Sequence, residues 1–259
     1  MTAGDRGHLV GSEMTKRYAG LLAVDAVTVE VRPGEVVGLI GPNGAGKTTL
    51  FNCLTGFTPL TSGRVELDGR DVTPLAPAAR AQLGVARTFQ QAKLFNHLTV
   101  AENLLLGRHR HYRARAWQAA LGLGRGAERE ARDSVGLVAG ECGLSPVMDA
   151  PVGDLPYGTQ RMVEVARALA TEPVILLLDE PGAGMDSAES AYFAGVIRGI
   201  HEQRGLSMLI IEHDVALVSA VCDRVYVLDF GELIMDGTPV QIRSDDRVRA
   251  AYLGAGSNA

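Results

Sequence analysis

The sequence predicts an α/β fold with a mainly parallel core sheet, an antiparallel β layer and an inserted α-helical subdomain. Three observations carry this expectation. First, the apolar run Val36-Val37-Gly38-Leu39-Ile40 passes without a spacer into G-P-N-G-A-G-K-T, residues Gly41 to Thr48, a glycine-rich turn joining a strand to a helix. Second, unbroken apolar runs at Val174–Leu178, Met208–Ile211 and Val225–Leu228 alternate with helical patterns at about Ser187–Gln203 and Val215–Val221. Runs of this kind suit parallel strands covered on both faces, and the βαβ alternation orders them into one sheet. Third, from about Val100 to about Ala170 the period is helical throughout.

Taken in order, Val27, Val29 and Val31 alternate with Thr28, Glu30 and Arg32, a half-buried strand that stops at Pro33-Gly34. Leu50, Phe51 and Leu54 give the glycine-rich turn its following helix. Gly63–Leu67, the tight turn Asp68-Gly69 and Arg70–Val72 read as a hairpin. The helical stretch holds an arginine- and alanine-rich part, Arg108–Arg132, and ends in its clearest helix, where Met162, Val165, Ala166 and Leu169 share one face. A length of 259 residues accommodates one large core or a core with a subdomain. The expected layout is one domain: core 8–90 and 171–240, helical subdomain about 91–170, C-terminal helix about 241–254.

A net charge of −5 disfavours electrostatic wrapping of nucleic acid, and no nucleic-acid partner is expected. Cys53, Cys142 and Cys222 form no C-x-x-C pair and read as reduced structural thiols, so neither a disulfide nor a zinc site is expected. Met1–Gly11 lacks a signal-peptide core and no run of eighteen apolar residues occurs. A chain soluble by itself is expected, reaching any membrane by docking to another protein. The basic cluster Arg108, His109, Arg110, His111, Arg113 and Arg115 reads as a solvated helical face, with no nearby carboxylate or cysteine to complete a metal site.

Gly41, Pro42, Asn43, Gly44, Ala45 and Gly46, followed by Lys47, Thr48 and Thr49, form a P-loop, whose turned-in N–H groups and helix N-terminus cradle phosphate. Lys47 reaches the β- and γ-phosphates, the Thr48 hydroxyl ligates Mg²⁺, and Thr49 adds a phosphate donor. The run Val174–Leu178 delivers Asp179 and Glu180 to the same edge of a parallel sheet. There Asp179 can hold Mg²⁺, directly or through water, and Glu180 can orient and deprotonate an attacking water. Ile210-Ile211-Glu212 delivers His213 likewise. Its imidazole either contacts the γ-phosphate or bonds a neighbouring backbone group.

Between these lie Arg87-Thr88-Phe89-Gln90 and Leu155-Pro156-Tyr157-Gly158-Thr159-Gln160. With them the chain, from about Tyr18 to Leu253, resembles the nucleotide-binding subunit of ATP-binding cassette (ABC) transporters: P-loop, Q-loop Gln90, signature at Leu155, Walker B strand, D-loop Asp186 and switch His213, in that order. The segment Ala86 to Phe95, the Tyr157-Gly158 signature and the C-terminal stretch from Asp236 to Gly254 resemble the branched-chain amino acid uptake branch. Importers of urea, amides or other small polar solutes share the layout, and a non-transport ATPase of the superfamily acting on ribosome or DNA is the rival from another class.

The resemblance implies an ATP-hydrolysing subunit with Mg-ATP as fuel, peripheral on the cytoplasmic face of the inner membrane. It implies as partners a second ABC ATPase, two polytopic permease subunits and, indirectly, an extracytoplasmic solute-binding protein. Two cassettes would close head to tail, each ATP held by one P-loop and the other chain's Pro156, Tyr157, Gly158 and Asp186 region. Tyr18, ahead of the first regular strand, would stack on adenine. Gln90 would sense Mg²⁺ and the water, and its loop, with Leu94 and Phe95, would abut a membrane-partner helix. The family's usual signature has serine where this chain has Pro156, glycine at Tyr157 and glutamine at Thr159. Losing a hydroxyl-phosphate contact costs about 1.5–3 kcal/mol. A proline is acceptable in a first helical turn, so a working but asymmetric site is expected, opposite a partner with the usual signature.

Overall fold

The computed structural model describes residues 6–88, 94–108 and 124–255, with side chains from 129 in the helix that begins at 124 and up to 252 in the last helix. The strands are β1 Leu9–Tyr18, β2 Leu21–Val31, β3 Val36–Ile40, β4 Ser62–Leu67, β5 Arg70–Asp71, β6 Val85–Arg87, β7 Ile175–Asp179, β8 Ser207–Ile211, β9 Arg224–Asp229 and β10 Glu232–Gly237. The α-helices are α1 Lys47–Thr55, α2 Pro77–Gln82, α3 Val100–Gly107, α4 Gly124–Glu141, α5 Tyr157–Leu169, α6 Ser187–Arg204, α7 Val215–Val221, α8 Pro239–Ser244 and α9 Asp246–Ala255.

Two sheets form, a four-stranded antiparallel layer in the order β2-β1-β4-β5 and a six-stranded core in the order β10-β9-β3-β8-β7-β6. In the core, β9, β3, β8, β7 and β6 run parallel and β10 closes one edge as an antiparallel hairpin. The strand period of two divides the apolar residues between two cores. Ile40, Leu176, Leu178, Met208, Ile210, Val225 and Val227 face α5, α6 and α7, while Leu39, Ile175, Leu177, Leu209, Ile211 and Leu228 face α1 and the β layer. The unbroken apolar runs are therefore two interleaved faces, each covered. All parallel strand ends open onto one edge, where Gly41, Glu180, Glu212, Phe230 and Thr88 begin the following segments.

Helix α1 lies between the sheets, with Leu50, Phe51 and Leu54 fully buried. Gly56 ends it in the left-handed conformation at φ 80°, its N–H bonded to the Cys53 carbonyl. Arg80, from α2 and 3 % exposed, donates from Nη1 to the Cys53 and Leu54 carbonyls at 2.9 and 2.7 Å. A guanidinium there satisfies the last carbonyls and complements the negative end of the helix dipole.

Four expectations are corrected. Tyr18 does not precede the first regular strand but ends β1, which the alternation test missed because register shifts between Gly11 and Met14 and between Met14 and Lys16 break its period of two. The stretch from Val100 is not helical throughout: residues 142–156 form turns with two short 3₁₀ segments, Ser145–Val147 and Val152–Asp154. Pro156 sits outside the first turn of α5 as its N-cap, at φ −54° and ψ 150°. The C-terminal helix is two helices parted at Asp245, whose ψ of 128° is extended. Helix α2 and strands β6 and β10 were also unforeseen; the first is six residues long and β6 only three, too short for a periodic signal.

Candidate functional site

The P-loop follows β3 at the shared edge. Gly41 and Gly46 are required there by space as well as by backbone conformation. A Cβ on Gly41 would lie 2.1 Å from the Leu228 carbonyl oxygen, and one on Gly46 2.3 Å from that of Ala23 in β2. Gly46 is the N-cap of α1 at φ 97°, with no side-chain cap and no acidic residue in the first turn. The first N–H groups of α1 thus meet no side-chain acceptor of their own, the arrangement that receives an anion. Lys47, 6 % exposed, folds over the loop, and its Nζ donates to the carbonyls of Gly41 at 2.6 Å and Pro42 at 2.9 Å. Burial lowers the pKa of this ammonium and the charge of Glu180 opposes the shift. Thr48 is exposed and Thr49 half-buried.

Glu180 stands next to this cradle on a backbone at φ 46°, its N–H donating to the Ile211 carbonyl at 2.9 Å. A non-glycine residue in the left-handed region is held there by its surroundings, at a cost of about 1–3 kcal/mol. His213 is exposed, with Nδ1 3.7 Å from Glu212 Oε2. Glu212 is fully buried and accepts from the backbone N–H groups of Gly182 at 2.6 Å and His213 at 3.1 Å. Burial raises its pKa, and those hydrogen bonds work against the rise. Glu212 thereby fixes the strand end that presents His213. The sequence reading assigned it no role, although a carboxylate ending an apolar strand was its signal.

Asp179 is buried and pairs with Arg87, Nη2 to Oδ2 at 3.1 Å. Burial raises the Asp179 pKa and the guanidinium pulls it back. The P-loop from Gly41 to Ala45, Glu180 and His213 line a single open cavity of about 1520 Å³. Asp229, Phe230, Arg247 and Tyr252, which sequence reasoning did not place here, complete its wall. Lys47, Thr48, Thr49 and Asp179 lie close to the lining residues in sequence without lining the cavity themselves; together the backbone N–H groups, ammonium, carboxylates and threonine hydroxyl make a donor set that fits a polyanion with a divalent cation.

The other predicted residues lie elsewhere. The signature residues Pro156, Tyr157 and Gly158 and the D-loop Asp186 are absent from the cavity wall. The Tyr157 hydroxyl accepts from Arg161 Nε at 2.9 Å, and a Cβ on Gly184 would lie 3.0 Å from the Tyr157 ring. Asp186 caps α6, accepting from the N–H groups of Ala188 and Glu189, each at 2.8 Å. Tyr18 is 45 % exposed, with Lys16 Nζ 4.8 Å from its ring centroid. Gln90, and His109 to Arg115 of the basic cluster, lie outside the described residues. Arg108 is buried and pairs with Glu172 at 2.8 Å, so it does not belong to a solvated face.

Comparison with known proteins accounts for this arrangement. Residues 24–183 match the ABC transporter family and residues 232–257 match the branched-chain amino acid ATP-binding cassette transporter family. The chain is 42 % identical over 245 residues to the high-affinity branched-chain amino acid transport ATP-binding protein BraF of Pseudomonas aeruginosa, covering 94 % of this chain and 96 % of that one. It is 42 % identical over 240 residues to the corresponding protein LivG of Escherichia coli K12, covering 92 % and 94 %. Among solved structures, the ADP conformation of MJ1267, an ATP-binding cassette of an ABC transporter, superposes with a TM-score of 0.81 at 30 % identity, covering 96 % of this chain and 99 % of that one. A nucleotide-free ATP-binding cassette from an ABC transporter superposes with a TM-score of 0.80 at 30 % identity, covering 95 % and 98 %. By the family match over residues 24–183 and by relatives 42 % identical over most of its length, the chain belongs to the ABC transporter family.

Proposed function

We propose that this chain hydrolyses Mg-ATP to drive import of a branched-chain amino acid, as a peripheral subunit on the cytoplasmic face of the inner membrane. The observation that carries the reading is the convergence of P-loop, Glu180 and His213 on one cavity. The cargo rests on the transport of branched-chain amino acids named for the relatives and on the C-terminal family match. The start of α1 and Lys47 bind the phosphates, and Thr48 and Asp179 hold Mg²⁺, with Gln90 as a further ligand. Bound Mg²⁺ neutralises phosphate charge as it develops. Glu180 orients and deprotonates the attacking water, and the exposed imidazole of His213 reaches toward the γ-phosphate. Tyr18 stacks on the adenine.

Two such cassettes close around two ATP molecules, with Pro156, Tyr157, Gly158 and Asp186 serving the nucleotide of the opposite chain. Two polytopic permease subunits complete the assembly, and an extracytoplasmic binding protein supplies solute. An apolar groove of about 570 Å³, with Phe57, Ala81 and Leu106 in its wall, suits a short helix from a permease.

Capture of the tagged chain from gently solubilised membranes, with mass spectrometry of what accompanies it, tests the assembly. Two polytopic proteins and a second ATPase are expected; ribosomal or chromosomal proteins in their place overturn the transport reading. A ligand screen of the associated binding protein then decides between branched-chain amino acids and urea or amides. The base is tested by Glu180→Gln, expected to reduce turnover by about 10²–10⁴-fold with ATP binding retained. Unchanged turnover would remove Glu180 from the reaction.

A further inference from the structure

Arg87 ends β6 and touches three parts of the fold at once. Its Nη1 donates to Asn52 Oδ1 at 2.9 Å and Thr55 Oγ1 at 3.0 Å, both on α1. Its Nη2 donates to Asp179 Oδ2 at 3.1 Å. The guanidinium carbon stands 4.6 Å from the Phe51 ring centroid and 4.8 Å from that of Phe57. The side chain is 11 % exposed and that of Asp179 is 3 % exposed. Arg87 also forms part of the wall of the groove that holds Phe57, Ala81 and Leu106.

The neighbouring Arg80 shows what a purely structural arginine looks like in this fold. Its fork is spent on the backbone carbonyls of Cys53, Leu54, Thr73 and Leu75. The fork of Arg87 is spent mainly on side chains, one of them a buried carboxylate. A carboxylate buried to this degree needs a counter-charge. Arg87 supplies it from the groove side, and a divalent cation brought to Asp179 meets that positive charge at short range.

We propose that Arg87 is a positioning residue that ties Asp179 to α1 until a divalent cation takes over the carboxylate, and that the groove acts on the metal site through this one side chain. The inference rests on the reading of Asp179 as a metal-holding carboxylate. Arg87 is then a competitor of the cation, and the permease helix proposed for the groove would touch the residue that sets the terms of competition.

The test is a Mg²⁺ titration of the full chain at fixed ATP, read by the fluorescence of a labelled ATP analogue. Arg87→Gln, which removes the competing charge, is expected to lower the half-saturating Mg²⁺ about fivefold or more. Arg87→Lys, which keeps the charge and loses the fork, is expected to lower it about two- to threefold, less than Arg87→Gln. Asp179→Asn is the control for the underlying reading and is expected to raise the midpoint about tenfold or more. An unmoved midpoint in Asp179→Asn would overturn the metal role of Asp179. A raised midpoint there with an unmoved or raised one in Arg87→Gln would overturn the role of Arg87 alone. If Arg87→Gln does not fold, Thr55→Val removes one anchor of the guanidinium without changing charge. It is expected to lower the midpoint about twofold, and no change would overturn the proposal. In the assembled transporter the unaltered chain is expected to show a midpoint displaced about threefold or more from that of the isolated chain. In Arg87→Gln the two midpoints should coincide. A displacement that is absent from the unaltered chain, or that persists in Arg87→Gln, would overturn the link to the groove.

Discussion

Helices α1 and α5 begin without a side-chain cap, on Gly46 and Pro156, whereas α3 and α6 begin on Thr99 and Asp186 within complete capping boxes. A cap spends the first N–H groups of a helix on the chain's own oxygen, and an uncapped start leaves them for something else. These two open ends are the P-loop helix and the signature helix, on opposite sides of the proposed ATP sandwich; α2 also starts uncapped, on Ala76, with Pro77 at its first position in place of one N–H. The Thr99 end is scaffold, while Asp186 caps α6 and is also proposed to serve the opposite chain's nucleotide. The two open ends also differ from each other: Gly46 is held by a close approach to Ala23, while Pro156 stands exposed with a backbone conformation that a serine would share.

Three substitutions probe this contrast. Gly46→Ala should close the first open end, because the added Cβ meets the Ala23 carbonyl oxygen at 2.3 Å on a backbone at φ 97°. Strain and clash together predict a loss of about 100-fold or more in ATP affinity, measured by equilibrium binding; near-normal affinity would mean the cradle tolerates a side chain. Pro156→Ser should strengthen the second open end. Nucleotide held between two cassettes is expected to bind about tenfold tighter, with no change for the isolated chain, and a change in the isolated chain would place α5 at the chain's own nucleotide. Thr99→Ala removes a capped end. It is expected to cost about 1 kcal/mol of stability, seen as a melting temperature about 2–4 °C lower, with ATP affinity untouched.

The sequence carried most of the parallel core because those strands are read locally, four or five apolar residues at a time, whereas β6 has only three residues. It carried the nucleotide edge for the same reason, since Gly41, Asp179, Glu180 and His213 each follow such a run. What it hid is what needs distance. Arg87 is one residue in a motif whose glutamine drew the attention; its meaning comes from Asn52 and Thr55 on one side and Asp179 on the other, brought together by β6 pairing with β7. The C-terminal helices resembled a family segment, yet nothing local indicated that Arg247 and Tyr252 would share a cavity wall with the P-loop. Strand β1 was hidden for a different reason, because its bulges erase the alternation by which strands are recognised.

Helix α1 has nine residues, and its two ends meet different neighbours: the phosphate cradle at Lys47, and at Thr55 the groove wall that Arg80 and Arg87 also form. Nine residues at 1.5 Å each make a rod of about 14 Å. Leu50, Phe51 and Leu54 of the rod are fully buried and Arg80 grips its tail, so one packed element runs from the groove wall to the cradle. Groove and cradle are thus the two ends of one short element, and a substitution at either end is felt by the same nine residues.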